Sequence, residues 1–141
     1  MRERAPSAQP VIAALLPNHR LIFESNQPPG TPEAFFANLR AADGVAAPGA
    51  LYAIDSSELM LLDAYEDVGR GVYERIVVSV VRADGRRDDT IVYRMPVQGR
   101  RARLGLPSRV QLAQIRAGYA DWGLDLRVLD AALDSASAKI A

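Results

Sequence analysis

The chain has no cysteine and a single histidine, His19, in 141 residues. Without cysteine there is no disulfide framework, no thiolate nucleophile and no cysteine metal site. One histidine removes the usual metal clusters and argues against a Ser-His-Asp arrangement. An excess of charge of one sign is also missing. The 17 basic and 17 acidic residues cancel, so no net field draws in nucleic acid or an anionic membrane. No apolar run approaches the ~18 residues of a membrane span, and the N-terminus does not read as a secretory signal. These absences point to a cytoplasmic enzyme or binding module that uses no metal and no cofactor.

What remains is ordinary for a soluble globular protein, with 49% hydrophobic and 24% charged residues. The length fits one domain over 1–141, able to bury ~70% of its unfolded surface. Met1 to Pro10 is polar, carries two prolines and reads as frayed. Val11 to Leu16 and Arg20 to Ser25 are short apolar runs joined by Pro17-Asn18-His19, which predicts two strands and a turn. Thr31 to Leu39 stays open between a helix opened by Thr31-Pro32-Glu33 and a strand carrying Phe35-Phe36. Ala50 to Ile54 reads as a strand. Tyr73 to Arg82 is β-branched and almost continuously apolar, as in a strand covered on both sides. Asp84-Gly85 is a hairpin turn signal, and Asp89 to Met95 returns antiparallel. Gln98 to Gly105 is a basic loop. Ser108 to Gly118 reads as a helix capped by Ser108 and Gln111, with Leu112, Ile115 and Tyr119 on its apolar stripe. Leu126 to Leu133 is a last helix capped by Asp125. Strands gathered around one helix, with helices at the end, predict an α+β fold.

The most informative residue is Glu66. It closes a short helix in which Asp55 is a plausible N-cap and Glu58 sits at the third helical position, a variant of the capping box. Leu59, Leu62 and Glu66 share one face, so the two leucines carry Glu66 inward. Burial and the negative helix end both favour the neutral acid, raising its affinity for a proton toward the useful range. Asp63 lies close enough for an acid/base dyad, although capping or salt-bridging is the plainer role. Tyr73 and Tyr93 suit either a hydrogen bond in a site or a core position with a wet hydroxyl. His19 reads as a surface residue and Trp122 as a core lid. Arg100, Arg101 and Arg103 suit a carboxylate or phosphate, or simply a solvated loop.

Leu62-Asp63-Ala64-Tyr65-Glu66, followed by Gly69, Gly71 and Tyr73, resembles the LDxxEG…Y motif of the gamma-glutamylcyclotransferase-like (AIG2-like) family. Arg4-Ala5-Pro6-Ser7-Ala8 resembles its R-x-P-S-A segment, and Arg20-Leu21-Ile22-Phe23 the strand that follows. Gly49-Ala50-Leu51-Tyr52 is similar to the G-x-L-Y strand, and Pro107-Ser108 with Ile115 and Gly118 to the P-S-…-I-x-x-G helix. The resemblance spans about residues 4 to 124 and implies a mixed or antiparallel, barrel-like sheet with a few flanking helices. It also implies release of 5-oxoproline from a small gamma-glutamyl amine or amino acid. Glu66 would be the general acid/base, Tyr73 and Gln111 would contact substrate, and a homodimer would be the assembly.

Three departures accompany it. The family's first strand and its YGSN loop, which cradles the glutamyl group, precede the R-x-P-S-A segment and are expected to be missing here, either by a real loss or because that strand lies upstream of Met1. Phe23-Glu24-Ser25-Asn26 imitates those letters in the wrong order along the chain. The family helix often carries tyrosine where Gln111 stands, and Asp67 replaces the glycine after the motif glutamate. The alternative expectation is therefore a non-catalytic binding or regulatory domain on the same fold, inactive for lack of that loop.

Overall fold

Among the described residues the strands lie in the first two thirds of the chain, interrupted by one helix and a 3-10 turn, and two helices follow them. The computed structural model describes residues 6–25, 34–66, 68–70, 72–96 and 103–138. In chain order the elements are β1 (Gln9–Ser25), β2 (Phe35–Ala53), α1 (Ser56–Tyr65) and a 3-10 turn at Val68–Arg70. They continue with β3 (Glu74–Arg82), β4 (Arg87–Arg94), α2 (Arg109–Trp122) and α3 (Leu126–Ala138). The strands form one sheet in the order β2-β1-β3-β4, with β1 antiparallel to β3 and β3 antiparallel to β4. The α+β class is as the sequence predicts. Two units are distinguished, Met1–Leu16 with Gly49–Pro96 and Pro17–Pro48 with Val97–Ala141, and β1 and β2 each contribute to both.

The two strands and turn expected across 11–25 are instead one continuous strand. A tight reversal of the commonest kind needs two residues at positive φ, and here only Asn18 has it, at 58°. Asparagine tolerates that backbone because its short side chain hydrogen-bonds locally. Asn18 Oδ1 accepts the Gly44 N–H at 3.1 Å, and Gly44 is itself at φ 77°. The strand reading of the next segment holds from Phe35 onward; Thr31-Pro32-Glu33 lies outside the described residues. The segment read as frayed is partly ordered. Ala8 is buried and β1 begins at Gln9.

β3 is not covered on both sides. Its burial alternates toward the turn, with Val77 and Ser79 exposed and Val80 buried. Val77 is 70% exposed and stands opposite Ile91 of β4. An antiparallel pair commonly leaves one face to solvent, so β-branched composition alone does not imply two covered faces. The Asp84-Gly85 turn joins these strands. Gly85 takes φ 87° and donates its N–H to the Arg82 carbonyl at 2.9 Å. β4 starts at Arg87, two residues earlier than predicted.

In the second unit Phe23, Tyr119, Leu129 and Ala132 form the buried cluster, with Leu112 and Ile115 packed against it. The predicted stripe of α2 is therefore its core face. Leu129 is 0% and Phe23 1% exposed, each contributing roughly 1.5–3 kcal/mol by burial. α2 starts as predicted, with Ser108 Oγ accepting the Gln111 N–H at 3.1 Å. It ends at Gly123 in the left-handed region, φ 63°, a common glycine stop. Asp125 Oδ1 accepts the Arg127 N–H at 3.0 Å at the start of α3. Gly105 donates to the Phe23 carbonyl at 3.3 Å, and a Cβ on Gly105 would overlap the Phe35 ring.

Candidate functional site

α1 forms over Ser56–Tyr65 because Leu59 and Leu62 fall on one face, and Leu62 is buried against Ala8, with Tyr52, Ile54 and Tyr93 around them. Its start differs from expectation. Asp55 has the extended backbone of an N-cap, yet its side chain makes no capping hydrogen bond. Glu58 does not complete a capping box. Its carboxylate turns to Ser7, accepting the Ser7 N–H at 2.9 Å on each oxygen and the Ser7 hydroxyl. A charge-assisted bond to a backbone donor 51 residues away outcompetes the local cap.

Glu66 is the C-cap of α1, with φ −83° and ψ 7°, and its N–H donates to the Leu62 carbonyl at 2.8 Å. It is half-buried. Beside it, Asp63 is engaged at both oxygens. The Tyr93 hydroxyl donates to Oδ1 at 2.6 Å, and Arg75 Nη1 lies 2.9 Å from Oδ2. Arg75 and Tyr93 are direct cross-strand partners on β3 and β4, so both reach α1 from the same face of the sheet. Burial, the hydrogen bond to Asp63 and the negative charges of Asp63 and Glu66 push the Tyr93 hydroxyl well above the ordinary tyrosine range. The Arg75 charge opposes them. Asp63 thus takes the salt-bridging role, and Tyr93 a half-buried position with its hydroxyl bonded to it.

Tyr73 is half-buried just before β3, next to Glu74, whose Oε1 receives Arg94 Nε at 2.6 Å. Gln111 belongs to the other unit, at the first turn of α2, and its Oε1 is buried without a hydrogen-bond partner among the described residues. Glu66, Tyr73, Asp63 and Tyr93 all lie in the first unit. His19 Nδ1 is occupied by the Pro17 carbonyl at 2.9 Å. Arg100 and Arg101 fall outside the described residues, and the Arg103 carbonyl accepts the Ser25 N–H at 3.0 Å. In the imitation segment, Phe23, Glu24 and Ser25 are buried within β1. Glu24 bonds Asn38 Nδ2 at 3.1 Å and Arg40 Nη2 at 2.6 Å through its second oxygen, so its carboxylate is held by neighbouring side chains.

Sequence reasoning missed Arg75, Ser7 with Glu58, and the Glu24–Arg40 pair. For Arg75 a signal existed, as the only charge between Glu74 and Arg82 in an otherwise apolar strand. Among the described residues no group of three or more His, Cys, Asp or Glu side chains could hold a metal. No helix among them is long and apolar enough to cross a membrane.

The description of the AIG2-like family matches residues 48–124, more than half of the chain, spanning β2 from Pro48 through α2 and the segment that bears Glu66. The chain belongs to the AIG2-like family. Its fold is similar to that of an uncharacterized protein from Homo sapiens, at 26% identity and a TM-score of 0.77 over 89% of this chain and 73% of that one. The same figures relate it to a solved structure named gamma-glutamyl cyclotransferase. YkqA from Bacillus subtilis shares the fold at 24% identity and a TM-score of 0.68, over 86% of this chain and 42% of that chain. No curated protein matches.

Proposed function

We propose that this AIG2-like protein is a gamma-glutamylcyclotransferase, with Glu66 as its general acid/base. The observation that carries the reading is the position of Glu66, half-buried at the C-cap of α1 within the family match, on a fold similar to a gamma-glutamyl cyclotransferase. In the reaction the free α-amine of a gamma-glutamyl compound attacks its own side-chain carbonyl. The new C–N bond closes 5-oxoproline, and the bond to the departing amine breaks. One proton leaves the attacking nitrogen and one reaches the leaving nitrogen, so a single carboxylate can serve both transfers in sequence. No electron moves. Because the nucleophile is tethered, holding the cyclising conformer supplies much of the acceleration. Tyr73, in the same unit as Glu66, is the proposed substrate contact.

The test is release of 5-oxoproline from a panel of gamma-glutamyl amino acids and amines by the parent protein and its Glu66→Gln variant. The expected loss is ~10²–10⁴-fold, the usual contribution of a positioned acid/base. Equal turnover in both removes Glu66 from the role. No 5-oxoproline from any compound, with saturable binding of one of them, favours a binding domain on this fold.

A further inference from the structure

We infer that Asp63 is a positioning residue for Glu66, pinned by Tyr93 and Arg75 so that it holds the C-terminal turn of α1 on the β3–β4 pair and sets the field around the Glu66 carboxylate. This rests on the reading of Glu66 as the acid/base. Three observations carry it. Asp63 and Glu66 are three residues apart at the end of α1, which puts their side chains on one side of the helix, with Cβ atoms ~5–6 Å apart. Two carboxylates so placed repel. Asp63 has an O–H donor on one oxygen and a guanidinium on the other, so both of its oxygens are engaged by the β3–β4 pair.

The pinning groups are themselves fixed. Arg75 and Tyr93 are register partners in a ladder of eight paired positions, from Glu74↔Arg94 to Val81↔Arg87. Tyr93 also packs on the cluster of Ala8 and Leu62 that seats α1. The charged groups acting on the Tyr93 hydroxyl are Asp63 and Glu66 from α1 and Arg75 from β3. All four side chains therefore sit within one electrostatic neighbourhood. Removing Asp63 or Arg75 changes its net charge in opposite senses.

That opposition supplies the test. In the full chain, the Glu66 carboxyl is titrated by carbon-13 NMR in the parent, in Asp63→Asn and in Arg75→Met. Asparagine keeps the shape of Asp63 but removes a like charge, so the Glu66 midpoint falls. Methionine keeps most of the apolar stem of Arg75 but removes a cation, so the midpoint rises. Each shift is expected to be about half a pH unit, the size of one unit charge at ~6 Å in water-like surroundings. If turnover is present, the acid limb of its pH profile moves in the same two directions. A merely structural tie would loosen α1 alike in both variants. Midpoints that stay put, or move the same way in both, overturn the inference, and one folded variant already has a sign to obey. Opposite shifts in a protein that releases no 5-oxoproline support the pinning and reject the proposed reaction.

Discussion

Ser7 and Glu58 hold each other across 51 residues, the Ser7 N–H lying 2.9 Å from both Glu58 oxygens and its hydroxyl bonded to one of them. Ser7 Oγ in turn accepts the Asp55 N–H at 3.3 Å, at the start of α1. This links the segment before β1 to the helix that ends at Glu66.

Breaking that link is expected to destabilise the chain. Glu58→Ala removes a charged acceptor from a half-buried backbone donor and costs ~1–3 kcal/mol. Ser7→Ala keeps the backbone donor and costs ~1 kcal/mol. Urea unfolding of the two variants checks the order as well as the size.

The Glu24–Arg40 pair supplies a sharper contrast. Glu24 is 3% exposed and receives both Arg40 and Asn38. Arg40→Met leaves a buried carboxylate without its cation and is expected to cost ~3–5 kcal/mol. Adding Glu24→Gln removes the charge, keeps an acceptor for Asn38 and recovers most of the loss. A double-mutant cycle by chemical denaturation measures the coupling.

At alkaline pH the hydroxyl of Tyr93 controls part of the stability. Its raised affinity for the proton means that the unfolded chain, with tyrosines ionising near ~10, binds fewer protons than the folded one. Stability is therefore unaffected by this group below about pH 10 and falls as pH rises above it. Tyr119, raised by burial and by Asp125, acts in the same sense. Unfolding midpoints at about pH 8 and about pH 11 are expected to diverge in the parent and to diverge less in Tyr93→Phe.

Asn18 makes a conformational prediction. Asn18→Gly keeps the left-handed backbone accessible but loses the bond to Gly44, so a small change is expected. Asn18→Val forces a β-branched residue to φ 58° and is expected to cost ~1–3 kcal/mol in thermal or urea unfolding.

These residues also explain what could be read from the chain. The β3–β4 hairpin and the start of α2 were legible because Asp84-Gly85 and Ser108 act on their immediate neighbours. The burial of Leu62 followed from the helical period it shares with Leu59. Pro17-Asn18-His19 reads as a turn locally, and only its place in a sheet decides that β1 runs through it. Glu58 looked like a capping residue because its partner lies 51 positions away, and the salt-bridging reading of Asp63 came without its partners because Tyr93 lies 30 positions on. Long-range pairing of that kind leaves no local pattern.

The close approach of Gly105 to the Phe35 ring has a meaning for the lineage as well as for the fold. An alanine at the first position demands a slimmer or reoriented side chain at the second. Across diverged AIG2-like chains these two sites are expected to change in concert. Their joint record would serve as a marker for matching the strand of one chain to the loop of another where overall likeness has faded.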